Sequence, residues 1–130
     1  RVLTNKLDTL GIDYENTAGI LSLNELAILL KNSRMLITND SGPLHLAYYY
    51  ELPIVAIWGP TSSKLVGYPN SYRMKNVSLH KFCSPCFVHP KSKVAQACSN
   101  KVDCLHELDS SNILRVVLDL HKSISGITNV

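Results

Sequence analysis

The sequence predicts an α/β domain, a parallel sheet with helices on both faces, and three observations carry that expectation. Two short apolar runs, at positions 35–38 and 54–58, are each closed by turn residues: Asn39-Asp40-Ser41-Gly42-Pro43 after the first, Gly59-Pro60-Thr61 after the second. Brief apolar runs with β-branched content and such punctuation read as strands buried on both sides. The residues between them, Pro43 to Tyr50, suit a short helix, and a strand–helix–strand unit with a right-handed crossover makes its strands parallel. Finally, 130 residues with 45% hydrophobic and 18% charged side chains are enough for one core and too apolar for a disordered chain.

The remaining elements follow in order. Val2, Leu3, Leu7 and Leu10 sit at loosely helical spacing before Gly11 and read as the end of an element whose partners lie upstream. Ser22-Leu23-Asn24-Glu25 is an S-x-x-E capping box, and Leu23, Leu26, Ala27 and Leu30 continue it as one apolar helical face until Lys31-Asn32-Ser33-Arg34. Positions 61–73 are rich in Gly, Pro, Ser and Tyr and read as loop, with a short strand at 77–79. Asp109-Ser110-Ser111-Asn112 supplies cap residues for a C-terminal amphipathic helix carrying Ile113, Val116, Val117 and Leu120 and closing before Gly126. No internal repeat or low-complexity tract interrupts this order.

Composition narrows the partners. Thirteen Lys and Arg against ten Asp and Glu give a net charge of +3, spread along the chain. That balance suits a phosphate-bearing small ligand or an acidic membrane surface, and it lacks the dense basic stripe of a nucleic-acid binder. No stretch reaches the roughly 18 uninterrupted apolar residues of a membrane span, and the first residues lack the pattern of a signal peptide. The chain opens at Arg1 without a Met, so it is expected to be a piece of a longer protein forming one partial domain over 1–130.

Asp40-Ser41-Gly42-Pro43-Leu44-His45 lies between a strand and the first turn of a helix, at the carboxyl end of the strand, where open α/β sheets bind ligands. First-turn amides are unpaired and carry partial positive charge, so Ser41 to His45 can present donors to a phosphate, with Gly42 allowing close approach. Asp40 would repel a phosphate; it suits sugar hydroxyls or loop amides. His45 could donate to the same anion. The plain alternative is that Asp40 or Ser41 only caps the helix and His45 is an ordinary histidine.

All four cysteines fall within 83–104, a Pro-, Lys- and Ser-rich loop. Cys83 and Cys86 have the spacing of a metal knuckle, and Cys98 and Cys104 follow as a wider pair, with His89 or His106 able to replace one ligand. A structural zinc, disulfides and unliganded thiols stay open. Tyr48, Tyr49 and Tyr50 point three ways on a helix and suit packing or surface positions, while Lys64, Tyr68 and Tyr72 lie on the loop after the second strand, either gating a ligand or solvated.

Asn39-Asp40-Ser41-Gly42-Pro43-Leu44-His45-Leu46-Ala47, followed by Pro53-Ile54-Val55-Ala56-Ile57-Trp58-Gly59-Pro60-Thr61, closely resembles the signature of glycosyltransferase family nine, which contains the ADP-heptose:lipopolysaccharide heptosyltransferases. Ser22-Leu23-x-Glu25-Leu26 and the Cys83-Ser84-Pro85-Cys86 and Cys98/Cys104 pattern are also similar to many members. The resemblance runs from about Gly19 to the end. It implies a GT-B architecture of two Rossmann-like halves, with this chain most of the C-terminal half that binds the nucleotide-sugar donor. By that pattern Ser41, Gly42, Pro43 and Leu44 would hold the donor diphosphate, Asp40 would contact the transferred sugar, and His45 would support the phosphate site. Thr61 would line the same cleft, and Leu21 would touch the nucleobase, a core leucine being the alternative.

The implied reaction is an inverting transfer whose carboxylate base comes from the N-terminal half, so no catalytic base is expected here and the fragment alone is expected to be inactive. No cofactor or metal is required for it. ADP-heptose is the donor by family precedent, the implied acceptor is a glycolipid, and the protein is expected to be cytoplasmic, with peripheral association at the inner membrane. A non-catalytic zinc-stabilised α/β interaction module, and another GT-B nucleotide-sugar enzyme, are the competing expectations.

Overall fold

The structure is a computed structural model that describes residues 2–86 and 103–126. Helix α1 is Val2–Thr9. It ends in a Schellman turn: Ile12 N–H donates to the Leu7 carbonyl and Gly11 N–H to the Asp8 carbonyl, both at 3.1 Å, with Gly11 at φ 63, a value that favours glycine.

Helix α2, Leu23–Lys31, starts at the capping box read from the sequence. Strand β1, Leu36–Asn39, follows, then α3, Gly42–Tyr49, and β2, Ile54–Trp58. A single-turn helix α4, Ser63–Val66, precedes β3, Met74–Ser78. Helix α5 is Asp103–His106 and α6 is Ser110–Ser125, whose N-cap Asp109 accepts from Ser111 N–H at 2.9 Å.

Both strand pairs are parallel, and the sheet order is β1-β2-β3. Leu36 pairs with Ile54 and Asn39 with Ile57, while Ile54 pairs with Met74 and Trp58 with Ser78. The central strand is buried on both faces, as its unbroken apolar run demands. Ile54, Ala56 and Trp58 join Leu30 of α2, Leu44 and Ala47 of α3 and Met74 of β3 in one core layer. Val55 and Val77 pack with Leu120 of α6 in the other. Period-two alternation along β2 thus divides its side chains between the two layers, and each fully buried large side chain contributes about 1.5–3 kcal/mol.

Several boundaries differ from the sequence expectation. Strand β1 runs one residue later than 35–38, because the ladder begins where Leu36 N–H donates to the Pro53 carbonyl at 2.8 Å and continues to Asn39 opposite Ile57. Strand β3 starts at Met74 rather than Val77, since Lys75 and Asn76 are drawn into pairing by β2 despite their polarity. The expected loop at 61–73 contains the turn α4, and Cys104, expected in a loop, lies on α5.

Helices α2 and α3 pack on each other over the same face of the sheet. Because α3 leaves the carboxyl end of β1 and α2 leads back to its amino end, both helices begin toward the carboxyl end of the sheet. Among the described residues, no helix is long and apolar enough to cross a membrane.

Candidate functional site

Strand β1 ends at Asn39, opposite Ile57, so Asp40 and Ser41 emerge beside the Trp58–Gly59 end of β2. Ser41 is the N-cap of α3 with extended backbone, φ −161 and ψ 167, yet its hydroxyl makes no capping bond. It turns back to Thr38, Oγ to Oγ1 at 3.1 Å, and donates to the Asn39 carbonyl at 3.2 Å. A Cβ built on Gly42 meets nothing within 4 Å, which leaves the approach to the first turn open.

The donors available in this turn can be counted from its chemistry. Pro43 has no N–H, and Leu44 N–H donates to the Ser41 carbonyl at 3.0 Å. The amides of Ser41 and Gly42 are those that can face an anion, supported by the partial positive charge of the helix start. Leu44 itself is fully buried and anchors α3 in the core. Asp40 is half-buried between strand and cap.

His45, one turn into α3, shares a hydrogen bond between Nδ1 and the Tyr68 hydroxyl at 3.0 Å. The Tyr68 ring stacks on Tyr48, centroids 3.5 Å apart and planes 6° from parallel. Its carbonyl accepts from Asn76 Nδ2 at 2.7 Å, and Asn76 Oδ1 accepts from Trp58 Nε1 at 2.8 Å. A chain of contacts therefore runs from the buried Trp58 through Asn76 and Tyr68 to His45. The sequence marks Tyr68 only as one loop residue among three and Tyr48 as suited to a packing or surface position. No local signal pairs residues 48 and 68, because their stacking depends on how the chain before β3 returns over α3.

From His45 a groove of about 570 Å³ continues past Tyr48, Tyr49 and Tyr72 to Arg73. Arg73 bonds both the Glu51 carboxylate, at 2.7 Å, and its carbonyl, at 3.3 Å, and lies 5.2 Å from the Tyr72 ring centre. The bond to Glu51 raises the Arg73 pKa, and the double contact accompanies Glu51 at φ 55, a strained value for a residue with a Cβ. Lys64 lies exposed on α4, apart from these contacts.

Thr61 follows β2 at the same sheet end, half-buried. Leu21, also half-buried, directly precedes the α2 cap, so topology brings it to that end as well. The segment of Cys83 and Cys86 docks on the loop before Thr61: Ser84 Oγ donates to the Gly59 carbonyl at 2.6 Å and Cys86 N–H to the Pro60 carbonyl at 2.9 Å. Helix α5 packs there too, since a Cβ on Gly59 would meet Leu105 at 2.6 Å. Cys83 and Cys86 are half-buried and Cys104 is buried; Cys98 and His89 lie outside the described residues. Among the described residues, His106 included, no group of three or more His, Cys, Asp or Glu side chains is placed to hold a metal ion.

Known proteins match parts of this chain. It is 45% identical over 47 residues to lipooligosaccharide heptosyltransferase 2 of Haemophilus influenzae, covering 36% of the chain and 14% of that protein. It is 42% identical over 76 residues to lipooligosaccharide heptosyltransferase 2 of Campylobacter jejuni, covering 58% and 24%. With lipopolysaccharide heptosyltransferase 1 of Campylobacter coli it shares 35% identity over 68 residues, 52% of the chain and 19% of that protein. The matches thus span a quarter or less of these relatives' lengths. No solved structure matches the chain. The family model described as glycosyltransferase family 9 (heptosyltransferase) matches residues 2–96, which takes in the α3 start, the β2 loop and Tyr68 alike, and the chain belongs to that family.

Proposed function

We propose that this chain is the C-terminal, donor-binding half of an inverting GT-B glycosyltransferase that takes a nucleoside diphosphate-sugar. The observation that carries the reading is the start of α3, left open by Ser41 and Gly42 at the carboxyl end of a parallel sheet in a family-9 chain. The Ser41 and Gly42 amides and the His45 ring take the diphosphate, Asp40 takes hydroxyls of the transferred sugar, and Thr61 and Leu21 border the same cleft. Heptose is the sugar favoured by the names of the relatives, ADP is the nucleotide that the family resemblance implies, and lipopolysaccharide or a related surface glycan is the acceptor, met at the cytoplasmic face of the inner membrane.

In the reaction an acceptor hydroxyl oxygen bonds to the anomeric carbon as the bond from that carbon to the diphosphate breaks. The hydroxyl proton goes to a carboxylate base outside this chain. This half contributes orientation of the donor and stabilisation of the charge that builds on the departing diphosphate. Preorganised amides and a helix dipole provide that stabilisation without reorganising during the step. Calorimetric titration of the chain with ADP and with UDP tests the reading: saturable binding that favours ADP is expected, and no binding of either at millimolar concentration overturns it.

A further inference from the structure

We propose that Tyr68 is a positioning residue that fixes the His45 imidazole with Nε2 as its outward hydrogen-bond donor, so that the ring serves the donor diphosphate at the start of α3. The inference rests on the donor reading above and adds the device by which the histidine is kept in the useful form.

A neutral imidazole has one nitrogen that donates and one that accepts, and the partner of the first nitrogen decides the role of the second. Here Nδ1 is engaged by the Tyr68 hydroxyl at 3.0 Å. When the phenol donates to Nδ1, the ring proton resides on Nε2, which then presents N–H. The other tautomer would give the phenol oxygen a donor and leave Nε2 as a lone pair, which repels a phosphate oxygen. A phenol can also accept, so if the ring gains a proton, Nδ1–H donates to Tyr68 and Nε2 still presents N–H. In the neutral ring the more acidic phenol O–H and the more basic imidazole nitrogen favour donation to Nδ1, which leaves the proton on Nε2, and in the charged ring the same hydroxyl accepts without disturbing Nε2–H. Helical side chains lean toward the start of their helix, and His45 stands one turn into α3, within reach of that start.

The phenol can perform this role only if it is held, and it is held at three places. Tyr48 lies flat against its ring, Asn76 binds its backbone carbonyl, and Trp58, 1% exposed, fixes Asn76 in turn. His45 adds an edge-on ring contact at 5.7 Å between centroids. A solvated loop tyrosine would need none of these restraints.

The test is nitrogen-15 spectroscopy of the His45 ring in the full 130-residue chain, combined with ADP titration, for the native sequence, Tyr68→Phe and Tyr48→Ala. Phenylalanine keeps the ring on Tyr48 and removes only the hydroxyl. In the native chain at a pH where the ring is neutral, the proton is expected on Nε2. In Tyr68→Phe the two tautomers are expected to mix and ADP affinity to fall about threefold to tenfold, the scale of one lost hydrogen bond. Tyr48→Ala should move both readouts the same way by less. An unchanged tautomer in Tyr68→Phe, or native ADP affinity in that variant, overturns the positioning role while leaving the donor site standing. Absence of ADP binding by the native chain overturns the donor reading, and this role with it.

Discussion

Helices α2 and α3 each begin behind a serine, Ser22 and Ser41, and only the first is closed by its own side chains. Ser22 Oγ accepts from Glu25 N–H at 3.3 Å, and the Glu25 carboxylate accepts from Ser22 N–H at 2.7 Å and from its hydroxyl at 2.6 Å. The α2 start therefore already has its anion. At α3 the serine turns toward Thr38, a proline occupies the first turn, and Gly42 leaves space. One sheet end thus carries a helix start that completes itself and one that its own serine leaves uncapped. The same elementary need, an acceptor for first-turn N–H groups, is met by a side-chain cap at α2 and by no side-chain cap at α3.

Gly42→Asp should erase the contrast, because it gives α3 a carboxylate of its own. The new charge meets open space and sits at the positive end of the helix, so unfolding by urea should show stability kept or raised. ADP binding should weaken at least thirtyfold, on the order of 2 kcal/mol of repulsion between the carboxylate and the diphosphate. A variant that still binds ADP like the native chain would place the ligand elsewhere. Ser22→Ala comes next in size: loss of a working cap should lower the unfolding free energy by about 1 kcal/mol. Ser41→Ala removes no capping bond and should cost only about a few tenths of a kcal/mol; equal costs for the two serines in urea titrations would break the comparison.

The smallest effect concerns pH. Hydrogen bonds from the Ser22 hydroxyl and backbone lower the Glu25 pKa in the folded chain. A carboxyl with a depressed folded pKa adds stability that is present above its unfolded pKa and lost as pH falls through the folded one. The native chain should therefore exceed Glu25→Gln in stability at neutral pH, with the gap closing on acidification. A gap that stays constant across that range would mean the carboxylate charge plays no part in closing α2.

Much of this is legible in the sequence alone. The α2 box is a contiguous pattern whose partners are three residues apart, so local chemistry determines it. Strand β2 matches its apolar run end to end because both faces are covered and every position must be apolar. Sequence pattern alone shortens β3, because Asn76, polar and inside a strand, is explained by Trp58 and by the Tyr68 carbonyl, contacts made across the fold. The Asp40 to His45 loop was legible as a location, from strand, turn and helix signals in succession. Its support was not, since the Tyr48–Tyr68 stack joins side chains twenty positions apart and the Cys83–Cys86 segment reaches the loop after β2 through backbone carbonyls, which no residue type announces.

Trp58 is the single tryptophan of the chain, and its indole is buried at one end of the contacts that lead to His45. The molecule consequently carries its own fluorophore where it is most informative. Native emission should be blue-shifted by the apolar surroundings and move to the red when the core opens, so unfolding can be followed without a label. Because the indole N–H shares Asn76 with the carbonyl of Tyr68, a rearrangement of that loop changes the polarity felt by the same excited state, giving an optical signal of events at the histidine from a residue that never meets solvent.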